Sequence, residues 1–69
     1  MLLTIEAKQQ IEQEAYDARE AYLDVDSRLR DALVNRLPTE ELAVLAAARR
    51  TALQRARAAW DLAKAVAKD

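Results

Sequence analysis

The amino-acid sequence contains no cysteine, histidine, glycine or phenylalanine, and Pro38 is its only proline. Without cysteine the chain forms no disulfide bond and no thiolate metal site. Without histidine it lacks the side chain that most often serves as a general base or metal ligand. Because glycine is the usual residue at positive φ, its absence disfavours the tight turns of β-hairpins. The sequence therefore predicts a protein that is not an enzyme, with no catalytic, cofactor-binding or metal-binding residues.

Long apolar runs are also missing from the chain. No stretch approaches the roughly 18 apolar residues of a membrane-spanning helix. The N-terminal residues MLLTIEAKQQ lack the basic start and the long apolar run of a signal peptide. We therefore expect a cytoplasmic protein that has no membrane partner.

The charges are unevenly distributed, although the formal net charge is only −1. Residues 1–26 carry seven acidic and two basic side chains, whereas residues 50–69 carry five basic and two acidic ones. If the two ends lie side by side, the acidic arm meets the basic arm. This pattern favours antiparallel pairing within one chain over recognition of a charged ligand.

Strong helix formers, mainly alanine, leucine, glutamate and arginine, occupy almost every position. Because proline disfavours helical geometry in the preceding residue, Pro38 predicts a break between two helices. We expect helix 1 over about residues 4–36, a turn over about 37–39 and helix 2 over about 40–67, with Thr39 as the N-cap of helix 2. The segment DVDS at 24–27 is expected to stay helical. The prediction is a single all-α domain over residues 1–69, an antiparallel two-helix hairpin in which paired residue numbers add to about 76.

One apolar stripe on each helix is expected to form the hairpin core, because its residues mostly recur every three or four positions. On helix 1 these residues are Ile11, Ala15, Ala18, Tyr22, Val25, Leu29 and Leu33. On helix 2 they are Leu42, Leu45, Leu53, Ala56, Trp60 and Ala63, with Ala52, Ala59 and Val66 on one flank. The alanines are expected to let the two helix axes approach closely.

Further apolar side chains lie outside these two stripes. Helix 1 has a second line of Ile5, Tyr16, Leu23 and Val34, and helix 2 has Val44, Leu62 and Val66 on its far side. A chain this small, with no disulfide and no metal, usually needs oligomerisation to bury enough apolar surface. We therefore predict a homodimer in which two hairpins form a four-helix arrangement.

Arg49 interrupts the main stripe of helix 2 between Leu45 and Leu53. One interpretation is that its guanidinium pairs with Asp24, Asp26 or a carboxylate of a second chain and fixes the register of the helices. The other interpretation, which we prefer on the sequence alone, is that Arg49 lies at the edge of the stripe. Its charge would then extend to water while its methylene groups cover the core.

The candidate partner-binding residues lie on the exposed side of helix 1 and near the open end of the hairpin. The acidic face of helix 1 comprises Glu6, Asp17, Glu20, Asp24 and Asp31. Tyr16 and Trp60 fall at the same level by the pairing rule, and aromatic residues are enriched at interaction hot spots; Trp60 fits a core position equally well. The partner-binding candidates are therefore Tyr16, Asp17, Glu20, Asp24 and Trp60.

Direct nucleic-acid binding is disfavoured by the overall charge. Arg49, Arg50, Arg55 and Arg57 have the chemistry of phosphate-contacting residues. However, the isoelectric point calculated from the sequence is about 5.4, and acidic residues lie alongside the arginines.

Two family resemblances concern helix 2 and the general architecture. The stretch Glu41-Leu42-Ala43-Val44, followed by Ala48 and Leu53, resembles the start of the last helix of the Hha-like nucleoid modulators. This chain reads Ala47-Ala48-Arg49-Arg50-Thr51 where that family has Ala-Ala-Asp-His-Arg. The hairpin plan is also similar to that of type III secretion needle co-chaperones.

A third resemblance spans the whole chain. The length, the single turn at Pro38 and the segment EAKQQIEQEAYDAREAY resemble the small phage-encoded anti-activators of quorum sensing, which are two-helix hairpins that dimerise. The resemblance implies a phage protein of the host cytoplasm that binds a LuxR-type transcription activator at its DNA-binding domain. The leading hypothesis is therefore inhibition of a host regulator through the acidic face of helix 1. The alternatives are a chaperone-like adaptor and a nucleoid modulator.

Overall fold

The computed structural model describes residues 3–68, which form two antiparallel helices: α1 over Ile5–Val34 and α2 over Thr39–Ala67. The hairpin measures 50 × 13 × 13 Å, and its radius of gyration is 15.6 Å. A compact chain of this length would have a radius of gyration of about 11 Å, so the hairpin is elongated. The predicted all-α hairpin is confirmed, and the segment at 24–27 is helical. Met1, Leu2 and Asp69, which the predicted domain includes, lie outside the described residues.

Helix α1 begins with a side-chain cap. Thr4 has an extended backbone, and its Oγ1 accepts a hydrogen bond of 3.1 Å from the N–H of Ala7. A threonine in this position satisfies one of the N–H groups that have no partner within the first turn. The start of α1 therefore agrees with the predicted boundary at about residue 4.

Helix α1 ends at Val34, two residues before the predicted boundary, because Arg36 adopts a left-handed backbone with φ of 54°. The N–H of Leu37 donates to the carbonyl of Ala32 at 3.1 Å, and the N–H of Arg36 donates to that of Leu33 at 3.3 Å. These two bonds form a Schellman motif, in which glycine is the usual left-handed residue. An arginine takes that position in a chain that has no glycine.

The predicted N-cap of α2 is wrong by one residue. Pro38, with φ of −56° and ψ of 149°, is the N-cap, and Thr39 is the first helical residue, so no side chain caps this end. The proline ring fixes φ near the helical value and the extended ψ turns the chain into the helix at Pro38. Glu40 and Glu41 lie in the first turn as predicted, where their negative charges suit the helix dipole.

The core of the hairpin consists of small side chains. The buried apolar residues of the described part are Ala15, Ala32, Ala56, Ala63 and Val66. The larger residues of the predicted core are only half-buried; they are Ile11, Tyr22, Val25, Leu29, Leu42, Leu45, Leu53 and Trp60. The alanines allow close approach of the helices, but the two helices alone do not enclose any large apolar side chain of the described part.

Two residues contradict the predicted stripes. Leu33, assigned to the core, is 57% exposed, and Ala32 is buried in its place. Val66 was assigned both to the flank of the main stripe and to the exposed far side of α2, and at 5% exposure the second assignment is wrong. Two paired helices wind around each other, so the inward-facing positions recur every 3.5 rather than every 3.6 residues, a drift of about 20° per seven residues. Over three heptads this drift turns Leu33 outward and Val66 inward.

Candidate functional site

The acidic face of α1 is fully on the surface. Its five members, Glu6, Asp17, Glu20, Asp24 and Asp31, are all exposed. The polar contacts recorded for this face lie within α1: Asp17 accepts a hydrogen bond of 3.0 Å from Gln13, and Asp24 pairs with Arg28 at 3.2 Å. The Asp24–Arg28 pair is itself more than half exposed. Hairpin formation therefore leaves this face free to meet another molecule.

Tyr16 and Trp60 form a contact near the open end of the hairpin. Their ring centroids are 5.4 Å apart, and the rings meet edge to face at 78°. The predicted antiparallel register is confirmed here, because these two positions were expected at the same level. Tyr16 remains 53% exposed, whereas Trp60 is half-buried. The aromatic pair thus combines a core contact with a surface available for binding.

A polar cluster joins the two helices between their midpoints and the turn. Arg49 donates from Nε to Oδ1 of Asp26 at 2.7 Å and from Nη2 to the hydroxyl of Tyr22 at 3.2 Å. Its guanidinium also lies 5.6 Å from the centroid of the Tyr22 ring. Arg30 contacts the other carboxylate oxygen of Asp26 at 3.1 Å. The hydrogen bond to Asp26 raises the pKa of the Arg49 guanidinium above its usual value.

This cluster decides between the two interpretations of Arg49. The preferred interpretation is wrong about the charge of Arg49, because its guanidinium is bound to Asp26 instead of extending to water. The side chain is still 40% exposed, as a position at the edge of the stripe requires. Asp24, another partner considered, is bound to Arg28 instead. Asp26 is the buried charged residue of the described part, at 9% exposure. Its burial was not predicted, although its position opposite Arg49 under the pairing rule marks it as a candidate.

An open groove runs along one side of the hairpin. We call it the aromatic groove; it is lined by Tyr22, Leu23, Leu53, Arg57, Trp60 and Lys64. Arg19 and Asp61 also lie at its edge, so the groove has an apolar floor and a mainly basic rim. The groove on the opposite side has a floor of small residues, among them Ala18, Ala21 and Ala48.

The second apolar line of α1 is exposed as predicted. We call it the outer stripe: Ile5 is 75%, Tyr16 53%, Leu23 48% and Val34 81% exposed. On α2, Val44 and Leu62 are also exposed. The four residues of the outer stripe share one face of α1, which the partner helix α2 leaves uncovered.

Metal and membrane features are not visible in the described part of the chain. Within residues 3–68, no group of three or more acidic side chains is arranged to hold a metal ion. Neither of the two described helices has an apolar stretch long enough to cross a bilayer.

Comparison with known proteins finds no matching family model, no matching curated sequence and no matching solved structure.

Proposed function

We propose that this hairpin is a protein-binding inhibitor whose acidic face covers the basic DNA-reading helix of a transcription regulator. The observation that supports the proposal is that all five residues of the acidic face are exposed, with the polar contacts of Asp17 and Asp24 made within α1. From Glu6 to Asp31 the face is about 37 Å long, whereas a recognition helix of about 12 residues is about 18 Å long. One hairpin is therefore long enough to cover such a helix.

The proposed mechanism is competition for the same basic side chains. A DNA-reading element carries lysine and arginine residues that contact phosphates. Carboxylates at Asp17, Glu20 and Asp24 would pair with those residues and exclude DNA. Because the contacts are exposed ion pairs, the affinity of the complex should fall as salt concentration rises.

The first partner to test is a LuxR-type transcription activator. The choice rests on the resemblance of the segment EAKQQIEQEAYDAREAY and of the hairpin plan to phage-encoded anti-activators of quorum sensing. In this proposal the chain is a phage product that acts in the cytoplasm of the host.

A DNA-binding competition assay tests the proposal. The DNA-binding domain of a LuxR-type activator is bound to its operator DNA, and the hairpin is added at increasing concentration. The natural chain should release the DNA, whereas a variant with Asp17→Lys, Glu20→Lys and Asp24→Lys should release none at the same concentrations. Unchanged helicity by circular dichroism shows that the variant is folded.

The matched control reverses three acidic residues outside the acidic face. The variant with Glu14→Lys, Glu40→Lys and Asp61→Lys has the same net charge as the first variant, and it should still release the DNA. If both variants fail equally, the effect is one of net charge. If both still release the DNA, the acidic face is not the binding surface.

The aromatic groove supports a second candidate function, an adaptor that holds a partner helix. An apolar floor with a mainly basic rim fits an amphipathic helix with acidic flanks. Reversal of Arg57 and Lys64 to glutamate should abolish this binding and leave inhibition through the acidic face intact. Affinity measured with an acidic amphipathic peptide distinguishes the two functions.

A further inference from the structure

We propose that a second copy of this chain covers the outer stripe, with the two α1 helices antiparallel about a two-fold axis that passes between Arg19 and Glu20. The outer stripe has the same spacing when read from either end. Ile5 and Val34 are equally far from the midpoint of residues 5–34. Tyr16 and Leu23 are also equally far from it, and the residue numbers of each pair add to 39.

The four residues form a straight line on the helix surface. At about 100° per residue, they lie within about 20° of one another around α1. All four are about half exposed or more within the single hairpin. Antiparallel pairing about the midpoint places Tyr16 against Leu23 of the second copy and Ile5 against Val34 of the second copy. A two-fold interface requires this kind of self-complementary surface.

The exposed area of the hairpin supports a second copy as the occupant. The chain exposes 5663 Å², whereas a compact monomer of its mass would expose about 4,400 Å². The excess is about 1,300 Å², and each partner in a standard interface buries about 800 Å². The hairpin therefore has more surplus surface than one such interface removes.

The charges beside the outer stripe have both favourable and unfavourable neighbours in this arrangement. Glu12 and Arg30 lie along the same edge of the stripe, and pairing brings Glu12 within three residues, about 4.5 Å along the axis, of Arg30 of the second copy. Arg19 and Glu20 lie on opposite edges, and each approaches its own counterpart. Because the central neighbours repel, added salt should not dissociate the dimer.

Cysteine cross-linking tests the register, since the natural chain has no cysteine. Two single variants are prepared, Tyr16→Cys and Leu23→Cys, and they are oxidised separately and as a mixture. In the proposed register the mixed dimer brings the two cysteines face to face and keeps the other Tyr16–Leu23 contact. In each separate variant the cysteines are seven residues apart along the axis, about 10.5 Å, too far for a disulfide. The mixture should therefore cross-link and the separate variants should not.

A second pair of variants tests the helix face. The residue numbers of Ala18→Cys and Ala21→Cys also add to 39, so the two positions would be level with each other in the dimer. They lie on the other side of α1, however, so their mixture should not cross-link. Cross-linking of this pair in place of the first would assign the interface to the opposite groove. Cross-linking within the separate Tyr16→Cys variant would show that the two α1 helices of the dimer are parallel. Either result overturns the proposal. The proposal is also wrong if none of the variants cross-links, whether light scattering shows a monomer or a dimer.

Discussion

Nε of Arg49 lies 2.7 Å from Oδ1 of Asp26, which joins α2 to α1 between the helix midpoints and the turn. Asp26 is only 9% exposed, and it has Arg30 as a second cationic neighbour at 3.1 Å. A slip of one residue would move a side chain by about 1.5 Å along the helix and about 100° around it. The pair therefore favours one register in an interior whose buried apolar residues are mostly alanines.

Removing the carboxylate should destabilise the hairpin. Asp26→Ala removes a buried carboxylate together with its charge-assisted hydrogen bond to Arg49, and we expect the free energy of unfolding to fall by about 1–3 kcal/mol. Urea denaturation followed by circular dichroism measures the change. Asp24→Ala is the matched control, since its exposed pair with Arg28 should contribute less than about 0.5 kcal/mol. Equal losses in both variants would show that burial of Asp26 has no energetic effect.

The same pair predicts how stability depends on pH. Because the pKa of Arg49 is raised in the folded state, this contribution is complete below the ordinary guanidinium pKa. It is lost only as pH rises through the raised value. Between about pH 7 and pH 9, unfolding should therefore show no loss of stability from Arg49. A denaturation midpoint that falls steeply within this window would contradict the assignment.

A glycine at the end of α1 should stabilise the protein. Arg36 has φ of 54°, where a non-glycine residue is strained by about 1 kcal/mol. Arg36→Gly should therefore raise the free energy of unfolding by up to about 1 kcal/mol. The neighbouring Asn35, with φ of −83°, provides the control. Asn35→Gly should give no gain, and a gain at both positions would point to a general effect of glycine in this turn.

Enlarging a buried alanine should separate the helices. Ala15 is 1% exposed where α1 contacts α2, so Ala15→Leu has no space for the added atoms. We expect a loss of about 1–3 kcal/mol. Ala21→Leu, on the exposed part of the same helix, should change stability by less than about 0.5 kcal/mol. Thermal unfolding of both variants measures the difference, and a neutral Ala15→Leu would mean that the helices pack more loosely than the structure shows.

Much of the fold follows from the sequence because its signals are local. A single proline divides a chain of strong helix formers, and the short turn at residues 35–38 requires the two helices to be antiparallel. The contact between Tyr16 and Trp60 confirms that register. The exposure of the acidic face and of the outer stripe follows from helical periodicity alone, because neither set falls on the stripe that faces the other helix.

The errors arise where long-range geometry overrides local periodicity. Leu33 and Val66 were misplaced because a fixed helical wheel ignores the winding of two helices around each other. The boundary at Val34 was missed because it depends on Arg36 in a conformation that arginine rarely adopts. The partner of Arg49 remained open because Asp24 and Asp26 are two residues apart, and only the packed structure shows which carboxylate faces α2.

In our proposal a second copy of the chain completes the hairpin through the outer stripe and leaves the acidic face exposed except at Glu20, which lies at the edge of the stripe. Sedimentation equilibrium over a concentration series, at low and at high salt, tests it most directly. We expect a species of twice the 7.8 kDa chain mass that persists at high salt, and a monomer for the variant Leu23→Lys. A natural chain of single mass at every concentration, or a dimer that Leu23→Lys leaves intact, would contradict it.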